Sequence, residues 1–148
     1  MSKPRYNWWP FVLNMIRDYP ARDAQYRELK RQNVTANLTG MPGGGGGASR
    51  TTENIAIRQL PPQEQREYDA VRKAMNRVRR GNDPMLRLGI VRSTMWRGYS
   101  IPGAAMKAHV SESTARRYRW QFIMLVGCMY GFLTEEEYWE ALKKDVGR

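Results

Sequence analysis

The sequence predicts an all-α protein. Apolar residues recur at spacings of three and four in several segments, no segment alternates as a half-buried strand would, and prolines and small polar residues stand where helices would start. At 148 residues the chain suits one domain, or one domain plus a small extension. A chain of that size buries roughly 68–70% of its unfolded surface, enough for a core without cross-links.

The segment NWWPFVLNMIRD, Asn7 to Asp18, begins aromatic and apolar. Pro10 suits a first helical turn, where a missing N–H is no loss, and predicts a helix from about Pro10 to Tyr19. Phe11, Met15 and Tyr19 would share one side of it, and the Trp8-Trp9 pair would close a small core. Pro20 would open a second helix, ARDAQYRELKRQ, with Tyr26 and Leu29 three apart. Residues 1–32 are therefore expected as an N-terminal helical extension.

From Asn33 the pattern dissolves into NVTANLTGMPGGGGGASR. A run of glycines favours neither helix nor strand, so residues 33–52 are expected as a flexible linker. A phosphate-cradling loop would need a preceding strand and a Gly-Lys-Ser/Thr ending. Here no strand pattern precedes and the run ends Gly-Ala-Ser-Arg, which argues against a nucleotide site.

Residues 53–148 are expected as a single helical-bundle domain. Thr51-Thr52-Glu53 starts a helix through Ile55, Ala56, Ile57 and Leu60, and Pro61-Pro62 end it and open the next. In QEQREYDAVRKAMNRVRR the apolar positions Tyr68, Val71, Met75 and Val78 fall on one face. After Gly81-Asn82, Asp83 is placed to cap a helix with Pro84 first, lined by Leu86, Ile90, Val91 and Thr94 as far as Gly98. Ser100 caps a short helix, IPGAAMKA, and the turn His109-Val110-Ser111 leads into ESTARRYRWQFIMLVGCMYG. The latter continues as a core stripe of Phe122, Leu125, Cys128 or Met129, and Phe132, with Cys128 expected buried and inert. Thr134 to Glu137 form a capping box for a last helix, whose Tyr138, Trp139 and Leu142 would pack back or meet a partner.

Charge narrows the function. Twenty-five Lys and Arg stand against 14 Asp and Glu, a net +11. Such an excess favours an anionic partner, nucleic acid first. The excess lies upstream: residues 111–120 carry +2, while residues 121–148 carry −2. A single cysteine excludes an internal disulfide framework and fits a reducing cytosol. No apolar run approaches the ~20 residues of a membrane span. The opening MSKPRYNWWP lacks a signal peptide's apolar core, so a cytoplasmic location is expected. No cluster of acids, bases or metal ligands stands out, so neither catalysis, metal nor cofactor is expected.

The stretch HVSESTARRYRW, His109 to Trp120, is the informative one. A helix-turn-helix needs a small residue where its helices approach, an apolar turn residue beneath both, and two inward positions on the second helix. Ala105, Val110, Ala115 and Tyr118 have that spacing. His109 stands where glycine is common, and histidine tolerates the positive φ better than most residues. No second His and no cysteine pair accompanies it, which argues against a metal ligand. With Ala115 and Tyr118 inward, Ser111, Glu112, Ser113, Arg116, Arg117 and Trp120 would face outward into the major groove of double-stranded DNA. Arg116 and Arg117 suit guanine edges or phosphates, and Glu112 suits cytosine N4. Ser113 and Thr114 suit a phosphate at the helix N-terminus. The competing reading is an ordinary charged, solvated helix face.

Three segments, PRYNWWPFVLNMIRDYP, TTENIAIRQLPPQEQREYDAVRKAM and GYSIPGAAMKAHVSESTARRYRWQFI, together resemble the ArpU/RinA-type transcriptional regulators of phages and prophages. The C-terminal part of that family is similar to the promoter-reading fourth region of bacterial sigma factors. The resemblance covers most of the chain outside the glycine run. It implies sequence-specific binding to phage promoter DNA and activation of transcription, often of late or packaging genes, with host RNA polymerase as a further partner. Its DNA contacts would fall on Ser111, Glu112, Ser113, Arg116, Arg117 and Trp120. The alternative is a phage small-terminase-like subunit that recognises DNA for packaging. That class carries its helix-turn-helix near the N-terminus, whereas here the motif lies late.

Overall fold

The computed structural model describes the backbone of residues 6–40 and 59–146, and side chains within 6–34 and 59–145. The glycine run at 43–47 and the helix start expected at Thr51-Thr52-Glu53 lie outside the described residues. Among the described residues six α-helices follow one another and no strand occurs: α1 (Trp9–Gly40), α2 (Pro62–Arg79), α3 (Pro84–Val91), α4 (Ile101–Ala108), α5 (Glu112–Tyr130) and α6 (Glu135–Val146). None is long and apolar enough to cross a membrane.

Described residues up to Tyr19 group with those from Arg66 onward in one compact unit, and those from Pro20 to Gln65 form a second. In the second unit the helix carries a polar surface ladder. Arg27 pairs with Asp23 at 3.0 Å, and Glu28 accepts from Arg31 at 2.6 Å and from Gln32 at 3.3 Å. The Arg31 and Gln32 hydrogen bonds hold the Glu28 carboxyl below its usual range.

Three expectations fail along α1. Pro20 was expected to begin a new helix, but it sits inside one continuous helix. Proline removes one i→i−4 bond and leaves the carbonyl of Ile16 without its helical donor. The Trp96 indole N–H donates to that carbonyl at 2.6 Å, which satisfies the orphaned acceptor. Residues 33–40, expected in the linker, are helical. NVTANLTG holds no proline, and extending an existing helix needs no new nucleus. The inward face of α1 departs at one position as well: Met15 and Tyr19 meet the core as expected, and Phe11 does not. Val12, Met15 and Ile16 are buried, whereas Phe11 is exposed and packs edge-on against Phe132, with centroids 5.8 Å apart.

The main core gathers those residues with Val71, Ala74 and Met75 of α2, Leu88 and Val91 of α3, and the middle of α5. From Phe122 to Gly127 every residue of α5 is buried. A helix apolar all round belongs at the centre, and here neighbours pack around it. Trp8 and Trp9 close the core at one side. Gly127 is what admits Trp8, because a Cβ there would stand 2.8 Å from the indole Cζ3. After Val91 the chain widens into a π-helical turn, Arg92–Trp96. The Thr94 hydroxyl donates to the Ile90 carbonyl at 2.8 Å, a back-bond that competes with the regular ladder.

The caps largely follow expectation. Ser100 Oγ accepts from Gly103 N at 3.1 Å. Thr134 and Glu137 exchange hydrogen bonds at 3.0 and 3.1 Å, a reciprocal capping box. Gly131 ends α5 at φ 111, a conformation glycine adopts at no steric cost. Asp83 departs from expectation. It precedes Pro84, but its backbone is left-handed (φ 49) and its side chain makes no cap bond. A capping side chain reaches the first turn from an extended backbone, which Asp83 does not have. Cys128 was expected buried and is half-buried. Burial, aided by nearby Glu135, pushes its thiol up, away from the reactive thiolate.

Candidate functional site

A second, smaller apolar cluster lies under α4 and the start of α5. Ile90, Ala105 and Ala115 are buried in it, with Leu86, Ile101, Ala108, Val110 and Tyr118 packed alongside. The four positions read from the spacing do share one interior. The spacing did not reveal the third wall, which α3 supplies through Ile90 and Leu86. Alanine at 105 and 115 lets the two helix backbones approach without a cavity.

The connection between the helices is tight. His109 adopts φ 60 and ψ 41, the left-handed conformation expected of it. Val110 N donates to the Ala105 carbonyl at 3.0 Å and His109 N to the Met106 carbonyl at 3.2 Å, so the last carbonyls of α4 are satisfied. Ser111 then turns extended, φ −70 and ψ 155, and its Oγ accepts from Thr114 N at 3.1 Å. The Ser111 hydroxyl donates onward to Thr114 Oγ1 at 2.8 Å, and Ser113 Oγ lies 3.2 Å from it.

These contacts sort the expected site residues. Ser111, Glu112, Ser113, Arg116 and Arg117 are exposed together at the start of α5. Thr114 is half-buried, and its hydroxyl is taken up in the cap. Trp120 was expected among the outward residues, but it is half-buried and packs on the main core. It lies five residues past Ala115, about 140° around the helix, where α5 begins to be enclosed on every side.

The two adjacent arginines are held by different partners. Arg116 Nη2 donates to Glu112 Oε1 at 2.8 Å, one turn back on the same helix. Arg117 Nε lies 3.5 Å from Asp145 Oδ2, which reaches across from α6. Their side chains remain 59% and 45% exposed, so both stay open to a large ligand.

Two further residues enter the site that sequence reasoning missed. Arg87 of α3 lies over the Tyr118 ring at 4.2 Å and donates from Nη1 to Gln121 Oε1 at 2.7 Å. It holds Tyr118 in the small cluster from outside. Asp145 is the other. Neither has a local signal, since each meets α5 only through tertiary packing. Arg119 is half-buried, and burial, with the like charge of Arg17 second, lowers its guanidinium's hold on its proton. Elsewhere Arg77 is withdrawn from the basic surface. It grips Glu135 at 2.7 and 3.2 Å and lies over the Tyr138 and Trp139 rings.

Comparisons with protein-family models, with curated proteins and with solved structures found no match to this chain.

Proposed function

We propose that the protein is a sequence-specific DNA-binding transcription regulator of the phage type, which activates by sigma-like promoter recognition. On this reading α4, the His109–Ser111 turn and α5 are a helix-turn-helix, and the first turns of α5 enter the major groove. One observation carries it: Ala105, Val110, Ala115 and Tyr118 face a shared interior, and Ser111, Glu112, Ser113, Arg116 and Arg117 are left exposed at one helix end. The net charge of +11 suits a polyanion, and the resemblance to ArpU/RinA-type regulators supplies the promoter and host RNA polymerase as partners. The bacterial cytoplasm, at the nucleoid, is where such a protein would act.

Arg116 and Arg117 would donate to guanine O6 and N7 or to phosphate, and Glu112 would accept from cytosine N4. Ser113 and the free amides of the first turn would hold a phosphate, favoured by the positive end of the helix dipole. Trp120 contributes as packing beneath the reading face. Selection of bound duplexes from a random library tests the reading, followed by footprinting of the enriched site and co-purification with RNA polymerase. Enrichment of one sequence, bound roughly a thousandfold or more over unrelated DNA, is expected. No enrichment and no protection at low salt would remove the DNA-reading assignment. Enrichment by a closed ring-sized oligomer in light scattering, without polymerase, would instead favour the DNA-packaging subunit.

A further inference from the structure

Arg116 and Arg117 are neighbours in sequence, but their partners leave different donors available. A guanine is read by two parallel N–H groups aimed at O6 and N7. The Nη2 of arginine belongs to both donor edges of the guanidinium. Glu112 takes one of that nitrogen's two hydrogens in Arg116, at 2.8 Å, and so occupies one of the two edges from the same helix. Asp145 approaches Arg117 at Nε instead, at 3.5 Å, and the edge formed by the two terminal nitrogens stays complete.

The two carboxylates are also anchored differently. Glu112 is exposed on α5 itself. Asp145 belongs to α6, which is pinned by Tyr138 in the main core and by Leu142 against it. Among the described residues, Asp145 Oδ2 is buried and accepts no hydrogen bond, and the Arg117 guanidinium lies beside it. A carboxylate on a helix anchored to the core is a reference point toward which a long side chain can be drawn.

Building on the reading of α5 as the DNA-reading helix, we propose that Asp145 is a positioning residue for base recognition. Its charge draws Arg117 from the Nε side, which leaves both terminal nitrogens to meet one guanine. The acidic last helix thereby contributes to sequence choice without touching DNA. An arginine already restrained in its bound geometry loses less rotamer freedom when it binds. Phosphate accepts donors from many directions, so non-specific binding gains little from that restraint.

The test uses the full chain and the duplex enriched by the wild-type protein. Affinity is measured on that duplex, on versions with each enriched guanine replaced, and on an unrelated duplex. The proteins are wild type, Asp145→Asn, Asp145→Glu, Arg117→Ala and the Asp145→Asn/Arg117→Ala double variant, each checked for unchanged thermal unfolding. Asp145→Asn is expected to lower discrimination at one guanine by about two- to fivefold, the worth of a half-exposed ion pair. Binding to the unrelated duplex should stay level or tighten slightly, since one negative charge is gone. The effect should vanish in the Arg117→Ala background, and Asp145→Glu should recover part of it. A merely structural role would lower affinity for every duplex alike. Uniform tightening on all duplexes would make Asp145 a brake and overturn the positioning role, as would unchanged discrimination or an effect that persists without Arg117. If the wild-type protein enriches no sequence, the DNA-reading assignment falls and takes this role with it. If it does enrich one and Asp145→Asn discriminates normally, the positioning role alone falls.

Discussion

Replacement of Gly127 by alanine should destabilise the protein, against the ordinary trend for helices. In an open helix interior, glycine to alanine stabilises by about 1 kcal/mol. At Gly127 the new Cβ would stand 2.8 Å from Trp8 Cζ3 and 2.9 Å from Cη2. Carbon atoms rest at about 3.5–4.0 Å, so the indole must retreat by about 0.7 Å or more. It has little room to do so, because its ring is stacked on Tyr6 at 4.9 Å and on Phe132 at 5.7 Å. Overpacking of this kind typically costs about 1–3 kcal/mol, and the wedged ring places Gly127 in the upper part of that range. Set against the gain in propensity, a net loss of about 1–2 kcal/mol is expected. Urea unfolding followed by far-ultraviolet circular dichroism measures it, on Gly127→Ala, Trp8→Ala and the double variant. With Trp8 removed the same substitution should become stabilising by about 1 kcal/mol. A Gly127→Ala protein as stable as wild type, or a penalty that survives removal of Trp8, would refute the reasoning.

Other substitutions probe the site and its supports. Ser111→Ala removes the acceptor for Thr114 N and should cost about 1 kcal/mol of stability, with faster amide exchange in the first turn of α5, whereas Ser111→Asp should keep most of it. Arg117→Ala should lose about 1–3 kcal/mol of discrimination at a single base pair, while Lys73→Ala or Arg80→Ala should weaken all duplexes alike and flatten the salt dependence. Uniform loss with Arg117→Ala would contradict base reading by α5. Two hydrogen bonds from Arg77 hold the Glu135 carboxyl below its ordinary value of 4.5. A depressed folded value means the stabilisation is present above that ordinary value and is lost as pH falls through the lower folded one. The stability advantage of wild type over Glu135→Gln, read from urea midpoints, should therefore narrow in acid, and an advantage independent of pH would exclude the pairing.

Periodicity and caps made much of the helical architecture legible. Tyr68, Val71 and Met75 recur at helical spacing because a single face of α2 meets the core, and all three are buried. The turn at His109 was legible because a small set of residue types tolerates its conformation, and the Ser111 cap because a hydroxyl there meets an orphaned amide. The misreadings share a cause. Pro20 looked like a boundary because local rules see the missing N–H and not Trp96, which supplies a donor from far along the chain. Phe11 and Trp120 were misplaced because a one-residue change in phase moves a side chain about 100° around a helix, and partners elsewhere set the phase. Leu88 was overlooked because α3 is buried on two faces, one toward each cluster, which blurs a single stripe.

Composition and spacing by themselves determined that the chain is helical and strongly basic, and that Ala105, Val110, Ala115 and Tyr118 fall at intervals that let them meet. Those properties depend on dihedral preference and local geometry, which neighbouring residues carry. Tertiary structure alone decided that α3 completes the small cluster, that residues 6–19 share a core with the middle of α5, and that Asp145 stands beside Arg117 while Glu112 takes Arg116. Contacts between distant segments depend on how whole faces fit together, and no interval within one segment records that fit.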